Sequence, residues 1–245
     1  MTQASIPRKT LNLRQQEMRD GMWMLLPGIL IIFIITLIPV LYTFVLSFTS
    51  TPLSNPRPQD FVGLANYLAF LKSQQFWQAI WRTFYFTVVS VGAELVLGLA
   101  IASLIHSRPP GWKFLRTSLI IPWAVPTIVN GALWRWIYNA DYGALNGLLM
   151  SLGLITKYRA WLTEPATAMN LVIIADIWHS LPFVVLILQA ALATIPVEME
   201  EAAAVDGATA WQRFWLIRIP LLQPAILVAL IIRTVEAFRV FDIIY

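Results

Sequence analysis

Apolar residues run almost unbroken through five long stretches of this chain, and polar residues gather between them. The first stretch, residues 25–48, carries no charge, and the second, 84–106, is interrupted only by Glu94. The third, 115–138, has Arg116 and Arg135 near its ends, and the fourth, 168–192, contains Asp176 and His179. The fifth, 221–245, is free of charge to Ile232 and then carries Arg233, Glu236 and Arg239. Crossing a bilayer takes about 20 predominantly apolar residues at about 1.5 Å rise each. The pattern therefore predicts an all-α, polytopic transmembrane helix bundle: a tail over 1–21, then a membrane domain over 22–245 with five spans.

Composition agrees. The chain is 58% hydrophobic and 12% charged, where a soluble domain is about 45–50% apolar and about 25% charged. Its mean hydropathy of +0.69 excludes disorder. The absence of cysteine excludes thiol catalysis, disulfide scaffolds and cysteine-ligated metals. The net charge of +4 reflects Lys and Arg retained in cytoplasmic loops, not a nucleic-acid surface. Arg8, Lys9, Arg14, Arg19, Arg108, Lys113, Arg116, Arg213 and Arg218 fall in three alternate segments. The opposite loops hold only Arg57, Lys72, Arg82, Lys157 and Arg159. The N-terminus is therefore expected to be cytoplasmic. Trp81 and Tyr85, and Trp134, Trp136 and Tyr138, then sit at the outer interface. The first span reads as an uncleaved signal anchor. The chain ends inside an apolar segment, so the sequence is expected to be truncated and to lack at least one further span.

The segment 195–220 between the fourth and fifth spans is the most informative. Pro196 suits a first helical turn, and Glu198, Glu200 and Glu201 follow where the helix dipole favours acids. Ala202–Ala204 give a small, smooth helical surface, and Gly207 permits a left-handed turn. A second short helix is expected over 209–216, ending before Pro220. The result is a helix–turn–helix on the cytoplasmic face.

This segment resembles the EAA loop of ATP-binding-cassette importer permeases. Glu201-Ala202-Ala203 is followed after three residues by Gly207, and after nine more by Ile217-Arg218-Ile219-Pro220. Ile219 stands where the family has Leu, which keeps the apolar character. The stretch 61–67 is similar to the outer-loop signature of sugar-importer permeases; Leu115-Arg116-Thr117 through Pro122 and Pro126, the Tyr142-Gly143 turn and 238–245 look similar too. The resemblance implies the type I importer permease fold, with a Gly-rich turn and sixth span that this chain lacks. It implies a second homologous permease, two ATP-binding subunits, an extracytoplasmic solute-binding protein and a sugar or polyol substrate at a bacterial or archaeal inner membrane. Glu198, Glu201, Ala202, Ala203, Asp206, Gly207 and Pro220 would couple to the ATPases. No G-x-x-x-x-G-K-[ST] loop occurs, so ATP and Mg would be bound by partners, with no cofactor, metal or catalytic residue in this subunit.

Ionisable residues inside spans default to function. Asp176, His179, Ser180 and Phe183 share one face of a helix at i, i+3, i+4 and i+7, beside Pro182. They either take a sugar's hydroxyls and ring face or hold helices together, Asp176 with an arginine. The resemblance places further substrate contacts at about Glu236, Ala237 and Val240. Arg233, Glu236 and Arg239 form a ladder that can pair its own charges, Glu94 is expected to make a bundle contact, and Asn130 an interhelical hydrogen bond. Two other readings are a glycerol phosphate importer, and a membrane-embedded enzyme using Asp176 and His179 as an acid–base pair on a lipid-linked substrate.

Overall fold

The computed structural model describes residues 13–50 and 60–239. Its described residues are nearly all helical, as the apolar runs require: a bilayer leaves no water to satisfy backbone groups, so each span bonds internally. Four helices are long and apolar enough to cross a membrane, and a bent pair supplies a fifth crossing if it counts as one span. The chain divides into two units, 1–77 and 78–245.

In the first unit, α1 (Leu13–Leu46) is longer than the 25–48 run and holds Pro27 and Pro39. The chain then folds back on the end of α1. Thr49 bridges Phe61, Gly63 turns with φ of 56°, and α2 (Ala65–Lys72) follows. Asn66 donates its amide to the carbonyls of Ser47 and Thr49 at 2.9 and 3.1 Å. The hydroxyls of Tyr67 and Ser47 meet at 2.6 Å. Phe48 stacks on Phe61 and touches Tyr67. The stretch 61–67 thus satisfies carbonyls of the turn that follows α1.

The second unit is built around α7 (Pro165–Leu192), against which α3 (Gln74–His106) and α10 (Ile219–Phe238) pack. Two apolar layers form where they meet. Ala102 and Ile105 of α3 join Val184, Val185, Leu188 and Leu192 of α7 and Leu222 and Ala229 of α10. Farther along, Phe86 and Val91 join Ile173 and Ala237. Gly98 lets α3 approach α7: a Cβ there would lie 2.8 Å from Val184 Cγ1.

The stretch 115–138, expected as one span, is not a single continuous helix but a bent pair of helices. α4 (Trp112–Ala124) and α5 (Thr127–Ile137) meet at 99°. Pro126 is the cause. It has no N–H to continue the ladder, and it forces Val125 to be extended (φ −76°, ψ 127°). Beyond α5, Asn139–Trp161 is organised by α6 (Ala144–Ser151) and by Asn146. The Asn146 amide donates to the carbonyls of Asn139, Ala140 and Arg159, and its oxygen accepts from Arg159 N–H and Trp161 Nε1. Gly143 is required in this turn, because a Cβ would lie 2.3 Å from the Asn139 carbonyl oxygen.

The segment after α7 departs from expectation in a second way. α8 (Val197–Val205) and a Gly207 turn with φ of 84° form where predicted. The second helix, however, does not end before Pro220. α9 (Ala210–Arg213) starts on a Thr209–Gln212 capping box and passes through a π-helical turn, Phe214–Arg218, directly into α10. Pro220 lies in the first turn of α10, directly after the π turn, so its missing N–H falls where the i→i−4 ladder is already interrupted. The Ile219 N–H reaches back to the Phe214 carbonyl, an i→i−5 bond that adds a residue to the turn.

Candidate functional site

Between the two apolar layers lies a buried charged one. Arg233 of α10 donates from Nε to Glu94 Oε2 at 2.6 Å and from Nη2 to Glu94 Oε1 at 2.8 Å. Nη2 also reaches Asp176 Oδ2 at 3.0 Å, and Nη1 reaches Glu236 Oε2 at 2.7 Å. The Glu94 side chain is 0% exposed and that of Asp176 6%, whereas that of Glu236 is 55% exposed. One guanidinium therefore ties α3, α7 and α10 together. Its fork geometry suits this better than a lysine would, since it serves one carboxylate in a bidentate manner and still has donors for two more.

The break between α4 and α5 makes a second polar point. Pro126 lacks the N–H that a continuous helix would offer the Pro122 carbonyl. His179 Nδ1 lies 3.0 Å from that oxygen, so Nδ1 carries the proton that bonds it. One residue on, Trp123 stacks on Phe183 with ring centroids 6.1 Å apart and planes at 29°. On α5, Trp134 meets Trp178 edge-on. Asn130 is fully buried, but neither of its amide atoms has a hydrogen-bond partner among the described residues. The interhelical hydrogen bond expected for Asn130 is not made among the described residues.

Of the residues the sequence singled out, the structure joins Asp176 and Glu236 through Arg233, and gathers His179 and Phe183 at the α4–α5 break. Ser180 is buried on the same α7 face. Ala237 is buried in the second apolar layer. Val240 lies outside the described residues.

On α8 the three glutamates divide. Glu198 and Glu201 are exposed together with Ala202 and Val205, and these four share one helical face. Ala203 is half-buried, while Asp206, Gly207 and Pro220 are exposed. Glu200 turns the other way. It accepts from Arg218 Nε at Oε1 and from Nη2 at Oε2, both at 2.6 Å. These hydrogen bonds hold the Glu200 carboxyl below the usual glutamate range, with the positive charges of Arg218, His106 and Arg213 adding to the effect.

Residues 94–245 match the family described as the inner membrane component of binding-protein-dependent transport systems. The chain belongs to that family. It is 41% identical over 236 residues to the trehalose/maltose transport system permease protein MalF of Thermococcus litoralis, covering 96% of this chain and 79% of that one. It is 36% identical to the trehalose transport system permease protein SugA of Mycobacterium tuberculosis, covering 95% and 74%. Among solved structures, a bacterial ABC transporter that imports the acidic polysaccharide alginate superposes with a TM-score of 0.77 at 26% identity, covering 93% of this chain and 77% of that one. The resemblance read from the EAA loop is thus borne out, as are the helical membrane fold and the inner-membrane location. This permease also holds site residues that sequence reasoning missed. Trp123 was silent as one tryptophan among eleven. Arg218 was read as a cytoplasmic charge and as part of the Ile217–Pro220 run, but its pairing with Glu200 gave no signal because the two are 18 positions apart.

Proposed function

We propose that this permease subunit moves a sugar or related polyol across the cytoplasmic membrane by alternating access, without catalytic chemistry of its own. ATP and Mg are bound and hydrolysed by two partner subunits, a second permease completes the pathway, and a solute-binding protein delivers the substrate. The N-terminus is cytoplasmic. The partner ATPases dock on the exposed α8 face of Glu198, Glu201, Ala202 and Val205, beside the Gly207 turn. This face carries the reading. It is a short helix of small and acidic side chains left open by the rest of the subunit, in a family that transports with separate partners. A sugar is supported by the names of the trehalose and maltose relatives and by the Trp123–Phe183 ring pair, an apolar platform for a pyranose face.

Two observations weigh against the other readings. A glycerol phosphate importer calls for a basic pocket, whereas the one arginine of the charged layer faces two buried carboxylates, Glu94 and Asp176, and the exposed Glu236. A membrane enzyme needs Asp176 and His179 to work together, but Asp176 is engaged by Arg233 and His179 by the Pro122 carbonyl. The test is purification of the subunit with its co-expressed partners, identification by mass spectrometry of the ligand on the accompanying binding protein, and uptake of that ligand into ATP-loaded proteoliposomes. ATP-dependent sugar uptake is expected. Uptake without an ATPase, or chemical conversion of a lipid-linked sugar by the isolated chain, would end this reading.

A further inference from the structure

Gly207 closes α8 with a left-handed turn, held by Gly207 N–H to the Ala204 carbonyl at 3.1 Å and Ala208 N–H to the Ala203 carbonyl at 2.9 Å. Its φ of 84° suits glycine, and nothing lies within 4 Å of where its Cβ would be. Both hydrogen bonds return to α8 itself, so the turn does not tie α8 to α10. The bidentate pair closes this gap. Glu200 and Arg218 lie 18 positions apart, on opposite sides of the Gly207 turn, and their side chains are only 17% and 22% exposed. The π turn adds a residue just before α10 and ends on Arg218, which sets the direction in which this arginine leaves the helix. From Arg218 the helix runs on to Arg233, about 22 Å at 1.5 Å per residue, where the buried pairs to Glu94 and Asp176 fix it to α3 and α7. The Glu200–Arg218 pair thus sits at one end of α10 and the Arg233 pairs with Glu94 and Asp176 near the other, on a helix that also carries Pro220 and Pro224.

We propose that Glu200 and Arg218 are positioning residues that make α8 and α10 one rigid body. Movement at the exposed α8 face is thereby delivered to the buried Arg233 layer. The proposal rests on the transport reading above and adds to it a specific mechanical element. Glu200 faces inward and serves this link, whereas Glu198 and Glu201 face outward to the partner.

The experiment uses the reconstituted complex with its loaded binding protein and reads ATP hydrolysed per sugar imported. Glu200→Gln and Arg218→Gln are each expected to raise this ratio about tenfold, as loss of a partly buried, bidentate charge pair allows. The double variant should be no worse than either single one, because both remove the same link. The charge swap, Glu200→Arg with Arg218→Glu, should recover part of the coupling. A wild-type ratio in both Gln variants, or a double variant equal to the product of the two effects, overturns the proposal.

A second measurement does not need transport. The chain has no cysteine, so Met199→Cys and Leu227→Cys place spin labels on α8 and α10 alone. The distance distribution between them should be narrow in the complex and broaden with Glu200→Gln; an unchanged width counts against the link. Glu201→Lys tests the docking reading separately and should lower the amount of ATPase that co-purifies. If ATPase retention is unaffected while Glu200→Gln still broadens the distribution, the link stands and the docking reading falls.

Discussion

Replacing Arg233 by leucine is the most demanding test of how the bundle is held. The substitution removes four charge-assisted contacts at 2.6–3.0 Å. They are not of equal weight. The Glu236 carboxylate is 55% exposed, so it is the least enclosed of the three partners and can be left without its cation at the lowest cost. Glu94 and Asp176 are different, because the arginine leaves behind two buried carboxylates with no cation between them. Breaking such a pair costs about 3–5 kcal/mol, and the stranded acids must take up protons or unpack. Thermal unfolding of the detergent-solubilised complex, followed by tryptophan fluorescence, should show a fall on the order of 10 °C, at about 2–4 °C per kcal/mol for a chain of this size. The control is the triple variant Glu94→Gln, Asp176→Asn, Arg233→Leu. Removing all three charges together should recover most of the loss, since buried ion networks are often close to neutral when replaced whole. Arg233→Leu melting with the wild type, or a triple variant no better than the single one, would refute this account.

Gly98→Ala should cost about 1–3 kcal/mol by overpacking against Val184, and Val184→Ala should relieve it, both read as melting temperature. Gly207→Val should impair ATP-driven uptake while Gly207→Asn largely preserves it, since only backbone conformation at φ 84° is at stake. Phe183→Ala should raise the half-saturation concentration for uptake, at about 0.5–1.5 kcal/mol for a lost ring contact, and Trp123→Ala should match it. The Glu200 carboxyl is held below the ordinary glutamate value of about 4.5. Its stabilising contribution is therefore complete above that pH and lost only as pH falls through the lowered folded value. The α8–α10 spin-label distance should accordingly stay unchanged from pH 8 to pH 5 and broaden only below about 4.5.

What the sequence determined was set by local chemistry. Transfer of an apolar residue out of water depends on that residue alone, so the long runs declared helices in a membrane. Pro196, three acids, three alanines and Gly207 specified α8 and its turn by helix chemistry within a single segment. The bend at Pro126 was also written locally, but a hydropathy reading of 115–138 averages over it. Chain direction changes there without any loss of apolar character. Other features needed the folded chain. Glu94 and Arg233 are 139 positions apart, and only the packing of α3, α7 and α10 decides that Arg233 meets Glu94 and Asp176. Phe183 gains an aromatic partner because the bend at Pro126 and the His179 bond to the Pro122 carbonyl hold Trp123 against α7. The three glutamates of α8 are chemically alike in sequence. Helix rotation and the π turn ahead of α10 decide that Glu200 turns inward to Arg218 while Glu198 and Glu201 stay open, because the direction of a side chain depends on the turns around it and not on its identity.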